Sequence, residues 1–244
     1  MKRIDEMKKL ILLSASLLLC LGMQAQNARV YVGTTAPRGS YKNYASPGWN
    51  LGAKVDFQVK QHLCLVTSLD MFYNKLTPYA NDMALSSQTT PAGATHWGVG
   101  GITAPVCINV PLLVHAKFTT RLSERKNKKG DDLDFWGEGA IGLNRRTISQ
   151  CSYSWTTSDA MGFTENYNVT MSYDAKTTFA NQWGVGLTWR NRISVGLVWY
   201  NLGRSKLTGS STITRLTSGE SLTSDFNGGP MREKLRTFRI GIAF

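Results

Sequence analysis

After its first 25 positions this 244-residue chain lacks any apolar stretch near the roughly twenty residues that a membrane-spanning helix needs. Long helical patterns are missing as well, and charged residues make up only 18% of the chain, less than a soluble enzyme of this length usually carries. Cysteine is scarce. Cys20, Cys64, Cys107 and Cys151 stand at irregular spacing, and three remain if the N-terminal segment is removed. That leaves neither a disulfide framework nor a metal-ligand pattern, so no cofactor or metal is expected. The absences speak against a helical enzyme, a disulfide-built domain and a zinc module.

What is present is Thr, Ser, Asn and Gly, with 23 glycines and 10% aromatics. The net charge is +12, but the basic residues are scattered and no basic helix gathers them, so nucleic acid is not an expected partner. At the N-terminus, Lys8 and Lys9 precede the apolar run Leu10 to Leu21, which is followed by Gly22-Met23-Gln24-Ala25. Positive, apolar, then small is the order of a secretory signal peptide. The spacing predicts cleavage between Ala25 and Gln26, giving a signal segment at 1–25 and a single domain over 26–244. A lipidated Cys20 would need a small residue before it, where Leu19 stands.

The rest of the chain alternates with a period of two. In Trp49–Lys60, Trp49, Leu51, Ala53, Val55, Phe57 and Val59 share one face, opposite Asn50, Lys54 and Asp56. Similar segments are predicted at Leu63–Lys75, Val106–Phe118, Leu133–Arg146, Phe179–Arg190, Ile193–Leu202 and Leu235–Phe244, with a weaker first strand at Arg29–Thr35. Segments of roughly 9–11 residues match a bilayer crossed at a tilt. The junctions at Gln61-His62 and Asn191-Arg192 are short. The stretches 36–47, 76–104, 147–177 and 204–233 are long and polar, and read as loops on the opposite side. The fold expected is all-β: an antiparallel up-and-down transmembrane barrel of eight strands in a bacterial outer membrane. The 76–104 or 204–233 stretch leaves room for a further hairpin and hence ten strands.

This register aims Lys54, Asp56, Asp70, Lys117, Glu138 and Arg239 into the lumen. An eight-stranded barrel is narrow enough for side chains to fill, so these charges are expected to pair and close it. Trp49 and Tyr73 fall at one rim, and Phe118, Trp189 and Phe244 at the other, as aromatic girdles do. One junction, 119–132, is long for its side and holds Arg121, Arg125, Lys126, Lys128 and Lys129. It reads as a solvated turn, or as a contact for anionic lipid or a protein partner.

Three segments carry a family resemblance. Ile108-Asn109-Val110-Pro111-Leu112-Leu113 is similar to a strand motif of the PorT-like small outer-membrane β-barrels of Bacteroidetes. The segment from Ala180 to Leu187, continued by Val198–Leu202, resembles that family's penultimate hairpin. The ending, with Phe238, Ile240, Ile242 and Phe244 on one face, resembles the terminal signal read by the barrel assembly machinery during insertion. The resemblance implies the fold and the outer membrane of a Gram-negative cell. It imports no catalytic residues.

Two motif matches fail on context. Gly137-Glu138-Gly139-Ala140-Ile141-Gly142 fits G-x-G-x-x-G, yet it lies inside a strand with no helix after it to meet a pyrophosphate, and its glycines read instead as relieving crowding or permitting strong bending. Ser123-Glu124-Arg125-Lys126 fits S-x-x-K in a charged turn that offers no dry helical cleft. None of His62, His96 and His115 has a serine two residues away, and no nucleophile, base and orienting acid stand together in the sequence. The functions in view are therefore a non-enzymatic barrel among outer-membrane lipids with a structural or surface-interaction role through its outer loops, an accessory subunit of a transport or secretion complex, a lipid-modifying enzyme, and a small pore.

Overall fold

Alternating apolar and polar side chains cannot bury one face in a helix, but they can line a sheet that separates two environments. The computed structural model describes residues 27–77, 96–100, 104–123, 132–158 and 161–244, and it is built almost wholly on that alternation. Its strands are β1 (Asn27–Pro37), β2 (Gly48–Lys60), β3 (Leu63–Lys75), β4 (His96–Gly100), β5 (Val106–Ser123) and β6 (Leu133–Ile148). They continue as β7 (Cys151–Ser158), β8 (Thr164–Tyr173), β9 (Lys176–Trp189), β10 (Ile193–Arg215) and β11 (Ser221–Ala243). A single 3-10 turn, Gly39–Asn43, follows β1.

Eight of these strands close on themselves in the order β1-β2-β3-β5-β6-β9-β10-β11, and β11 returns to β1 through the ladder from Arg29↔Ala243 to Pro37↔Leu235. Every pairing is antiparallel. Closure removes the edges, which is the condition for placing a sheet in lipid, where an unpaired N–H or C=O has no water to meet. Among the described residues no helix is long and apolar enough to cross a membrane.

The pleat sorts the side chains as the alternation predicts. Val30, Val32, Trp49, Leu51, Leu65, Leu112, Val114, Ile141, Leu143, Val185, Leu187, Leu197 and Ile240 are exposed on the outside. Between the two rims this outward face carries no charged residue among the described ones. At the outer rim Trp49 stacks on its ladder partner Tyr73, with ring centroids 5.2 Å apart. At the other rim Phe118, Trp189 and Phe244 are exposed, on the side where the Gln61-His62 and Arg190–Arg192 turns and both ends of the barrel lie. An apolar belt between aromatic rims, short turns below and long excursions above define a transmembrane barrel.

Four expectations need correcting. The stretches 147–177 and 204–233 are not loops. The β10–β11 ladder runs without leaving the hairpin up to Thr214↔Ser221, with irregularities near Gly203 and between Lys206 and Thr208. The upper end of β10 also pairs with β8, β8 with β7 and β7 with β4, so a five-stranded sheet rises from one side of the barrel. These strands escaped prediction because their outer face meets water rather than lipid, and the alternation fades there. Second, β5 does not end at Phe118. It continues to Ser123, placing Arg121 in a strand within 3.5 Å of Asp132 and 3.6 Å of Asp134. Arg125, Lys126, Lys128 and Lys129 lie outside the described residues, as do Ala25 and Gln26. Third, of the glycines in the G-x-G-x-x-G match only Gly142 relieves crowding, where a Cβ would collide with the Leu112 carbonyl oxygen; a Cβ on Gly137 or Gly139 would meet nothing within 4 Å. Fourth, His115 meets a serine and a carboxylate that the sequence does not place beside it.

Crowding is relieved also at Gly186 and Gly196. A Cβ at either position would collide with the Trp136 indole, which lies across them and donates its Nε1–H to the Ser194 hydroxyl at 3.2 Å. Truncating such a buried ring costs about 3–5 kcal/mol in typical cores.

Candidate functional site

The lumen is where the sequence concentrates its charge, and the strand pleat decides which charges meet. β2 contributes Lys54 and Asp56, β3 contributes Ser68 and Asp70, β5 His115 and Lys117, β6 Glu138 and β11 Arg239. All eight side chains are buried. Glu138 is the hub. One oxygen, Oε1, accepts from Lys54 Nζ at 2.5 Å, from Gln182 Nε2 at 2.6 Å and from the Arg239 guanidinium. Arg239 also lies 4.6 Å from the Tyr31 ring centre and 5.5 Å from that of Trp136, so the same cation is paired on its edge and stacked on its faces. Tyr31 donates its hydroxyl to Asp70, the second carboxylate of this level.

A second cluster lies closer to the periplasmic end. Lys117 Nζ donates to Asp56 at 2.5 Å, and Arg29 approaches the same oxygen at 3.6 Å while donating to Thr188 at 3.3 Å. The six charges expected in the lumen thus divide into a Lys54–Glu138–Arg239 group with Asp70 at its side and a Lys117–Asp56 pair. Buried charges are tolerable only when compensated in this way. Between the two groups the free space is about 30 Å³, room for about one water.

Sequence reasoning missed a third pair at the outer mouth. Arg146 donates to Glu233 at 2.8 Å and to the Lys206 carbonyl at 3.1 Å, with both side chains almost fully buried. Arg146 was legible from the parity of its strand. Glu233 was not, because it stood in a stretch read as a loop. Above this pair the mouth closes on apolar side chains. Tyr41 of the 3-10 turn, Cys107, Ile148, Leu202, Met231 and Leu235 belong to one buried cluster, which runs on through Cys151, Tyr153, Val169, Met171, Leu207 and Phe226 of the raised sheet.

The fourth correction is chemical. The sequence shows no nucleophile, base and acid together, yet the barrel assembles one from three strands. Ser68 Oγ lies 2.6 Å from His115 Nε2, and His115 Nδ1 lies 3.7 Å from Glu138 Oε2. The residue types and order match those of a serine hydrolase. The surroundings do not, since Ser68 is 0% and His115 1% exposed, which leaves a substrate no approach to the serine. Glu138 is moreover committed to Lys54 and Arg239. Ser68 also donates to Asp70 at 3.3 Å, and among the described residues His115 Nδ1 has no hydrogen-bond partner, its 3.7 Å approach to the carboxylate being too long for one. Among the described residues no group of three metal-ligating side chains converges. The terminal residues Phe238, Ile240, Ile242 and Phe244 all face outward at the foot of β11.

The fold and its surface define a small outer-membrane β-barrel protein. No family model matches the chain, and no curated protein does. Among solved structures it is similar to Neisserial surface protein A, at 7% identity over 89% of this chain and 94% of that one, with a TM-score of 0.40. It is similar to a major outer membrane protein of Thermus thermophilus at 9% identity over 89% and 99%, TM-score 0.41. It is similar also to Ail, the attachment invasion locus protein of Yersinia pestis, at 10% identity over 89% and 98%, TM-score 0.36. Likeness this remote carries no residue and no activity across, and the membrane assignment stands on the chain's own surface.

Proposed function

We propose that this protein is a sealed, non-catalytic barrel that acts at the cell surface through the sheet it raises above the outer membrane. The observation that carries this reading is the construction of that sheet. β10 and β11 leave the membrane as one continuous hairpin, and β8, β7 and β4 are added to its side. Tyr153, Val169, Met171, Leu207 and Phe226 give it a core continuous with the plug of the mouth. A platform held this firmly presents its tips and outer face in a defined geometry, which is what recognition by an external surface needs. The filled lumen argues against a diffusion channel, and the enclosed Ser68–His115–Glu138 trio against hydrolysis. Kinship with the PorT-like barrels, cleavage at Ala25 and recognition of the Phe238–Phe244 ending by the assembly machinery belong to the same proposal and rest on the sequence segments that suggest them.

The test is excision of residues 151–173 with a short turn in their place. The variant is expected to insert and to keep the heat-dependent gel migration of a folded barrel, while losing cell-surface binding. Retention of every wild-type surface interaction by a folded variant would refute the role. In planar bilayers the wild type is expected to show no stepwise conductance, and sustained unit steps would make it a pore instead.

A further inference from the structure

The outward face changes chemistry abruptly where β9, β10 and β11 leave the apolar belt. Trp183 and Trp199 are ladder partners there whose rings stack at 3.9 Å and 7°; Arg236 of β11 stands opposite Trp199, and the exposed Phe179 lies two residues above Asn181 on β9. One level up stand Asn181, Asn201 and Lys234, in register across β9, β10 and β11, and the Arg38 backbone N–H donates to the Lys234 carbonyl at 2.9 Å. Arg232 stands a level higher. Together these side chains line a cleft of about 350 Å³ on the outer surface of the barrel, with tryptophan at its floor and three cations around it.

The cations are uncompensated for a reason that the pleat supplies. In sequence, Arg232-Glu233-Lys234 looks self-neutralising. In the strand, Glu233 turns inward to Arg146 and is spent there, while Arg232 and Lys234 turn outward without it. Across the ladder Arg232 faces not an acid but Arg204. Like charges directly opposed in a sheet repel, so an arrangement of this kind is costly unless an anion lies between or beside them. None of Arg38, Arg204, Arg232 and Lys234 forms an ion pair among the described residues.

We propose that this cleft binds the phosphate of an outer-leaflet lipid headgroup. Arg38, Arg232 and Lys234 hold the phosphate, and the stacked Trp183–Trp199 pair packs against the lipid just below it. Depth selects a lipid over a free anion. Lys234 sits one residue level above the Trp183–Trp199 pair and Arg232 two, where headgroups lie, and the tryptophans are at the interface such rings favour. Arginine supplies the planar fork that suits phosphate oxygens. The proposal rests on the membrane-spanning reading of the barrel but not on the role of the raised sheet.

The test uses the full barrel refolded in a mild non-ionic detergent and titrated with bisphosphorylated lipid A, with the same lipid stripped of its phosphates, and with inorganic phosphate. Lipid adducts are read by native mass spectrometry. The triple variant R38Q/R232Q/K234Q is run beside the wild type, and heat-dependent migration verifies that it is folded. All three sites are exposed or half-buried on the outside, and none touches the lumen pairs. Wild type is expected to bind the phosphorylated lipid, more weakly at high salt. The variant is expected to lose about fivefold per cation, on the order of a hundredfold in all. Equal binding of phosphorylated and stripped lipid would overturn the proposal in favour of nonspecific apolar contact. Competition by millimolar inorganic phosphate would overturn the lipid as the ligand. An unchanged affinity in the folded variant would overturn the residues.

Discussion

Replacing Glu233 by Gln would leave Arg146 charged, almost fully buried and without its carboxylate. The pair is one-to-one. Arg146 donates to Glu233 at 2.8 Å, and among the described residues its only other acceptor is the Lys206 carbonyl at 3.1 Å. Among the described residues the guanidinium Nε and the second Glu233 oxygen have no hydrogen-bond partner, so no second carboxylate is in place to take over. Breaking a buried pair from one side costs about 3–5 kcal/mol, chiefly because the remaining charge cannot regain water. With a urea slope near 2 kcal/mol per M, that corresponds to a fall of roughly 2 M in the unfolding midpoint. The assay is urea unfolding of the barrel refolded into lipid vesicles, followed by tryptophan fluorescence. The double replacement R146M/E233M removes both charges and keeps the volume, so it is expected to recover most of the loss. A fall below about 1 kcal/mol for E233Q, or a double variant no better than the single one, would refute the claim that this pair closes the mouth as a desolvated unit.

Two further outcomes follow from the same structure. On the apolar belt, I240R is expected to cost roughly 2–4 kcal/mol in vesicle unfolding, as arginine does near the bilayer midplane, whereas R236Q, at the rim on the same face, should change stability little. In the raised sheet, the Tyr167 hydroxyl, followed by the Arg215 guanidinium, holds the Glu165 carboxyl below the usual carboxylate range. A lowered folded-state value stabilises the sheet above the unfolded-state value, near 4.3 for Glu, and the contribution is lost as pH falls through the folded one. Hydrogen exchange of β8 and the upper half of β10 should therefore quicken between about pH 5 and pH 3 in the wild type, and E165Q should flatten that dependence.

Much of the barrel was legible because its controlling signal is local. Trp49–Val59, Val106–Phe118 and Trp183–Trp189 each declare a lipid-facing side within a single strand, and the partition between lipid and lumen enforces it residue by residue. The lumen charges were legible for the same reason, as the opposite parity of those strands. Parity assigns a side but not a neighbour. That Lys54 meets Glu138 rather than Asp70, and that Ser68 meets His115 and Glu138, depends on how far each strand is staggered against the next around the ring. The raised sheet was illegible because β7, β8 and the upper parts of β10 and β11 have water on one face and only a small core on the other, so their alternation is weak.

The sequence by itself therefore determined the strand-forming stretches, the face of each that meets lipid, and the filling of the lumen by charge, since a two-residue period in an apolar solvent leaves few alternatives. Only the tertiary structure decided the partners. Barrel closure brought Glu233 to Arg146 across 87 residues of chain and left Arg232 and Lys234 outside without an acid. It also converted the segments that looked like loops into a packed platform. These are consequences of strand stagger and of ring closure, which no single segment of the chain encodes.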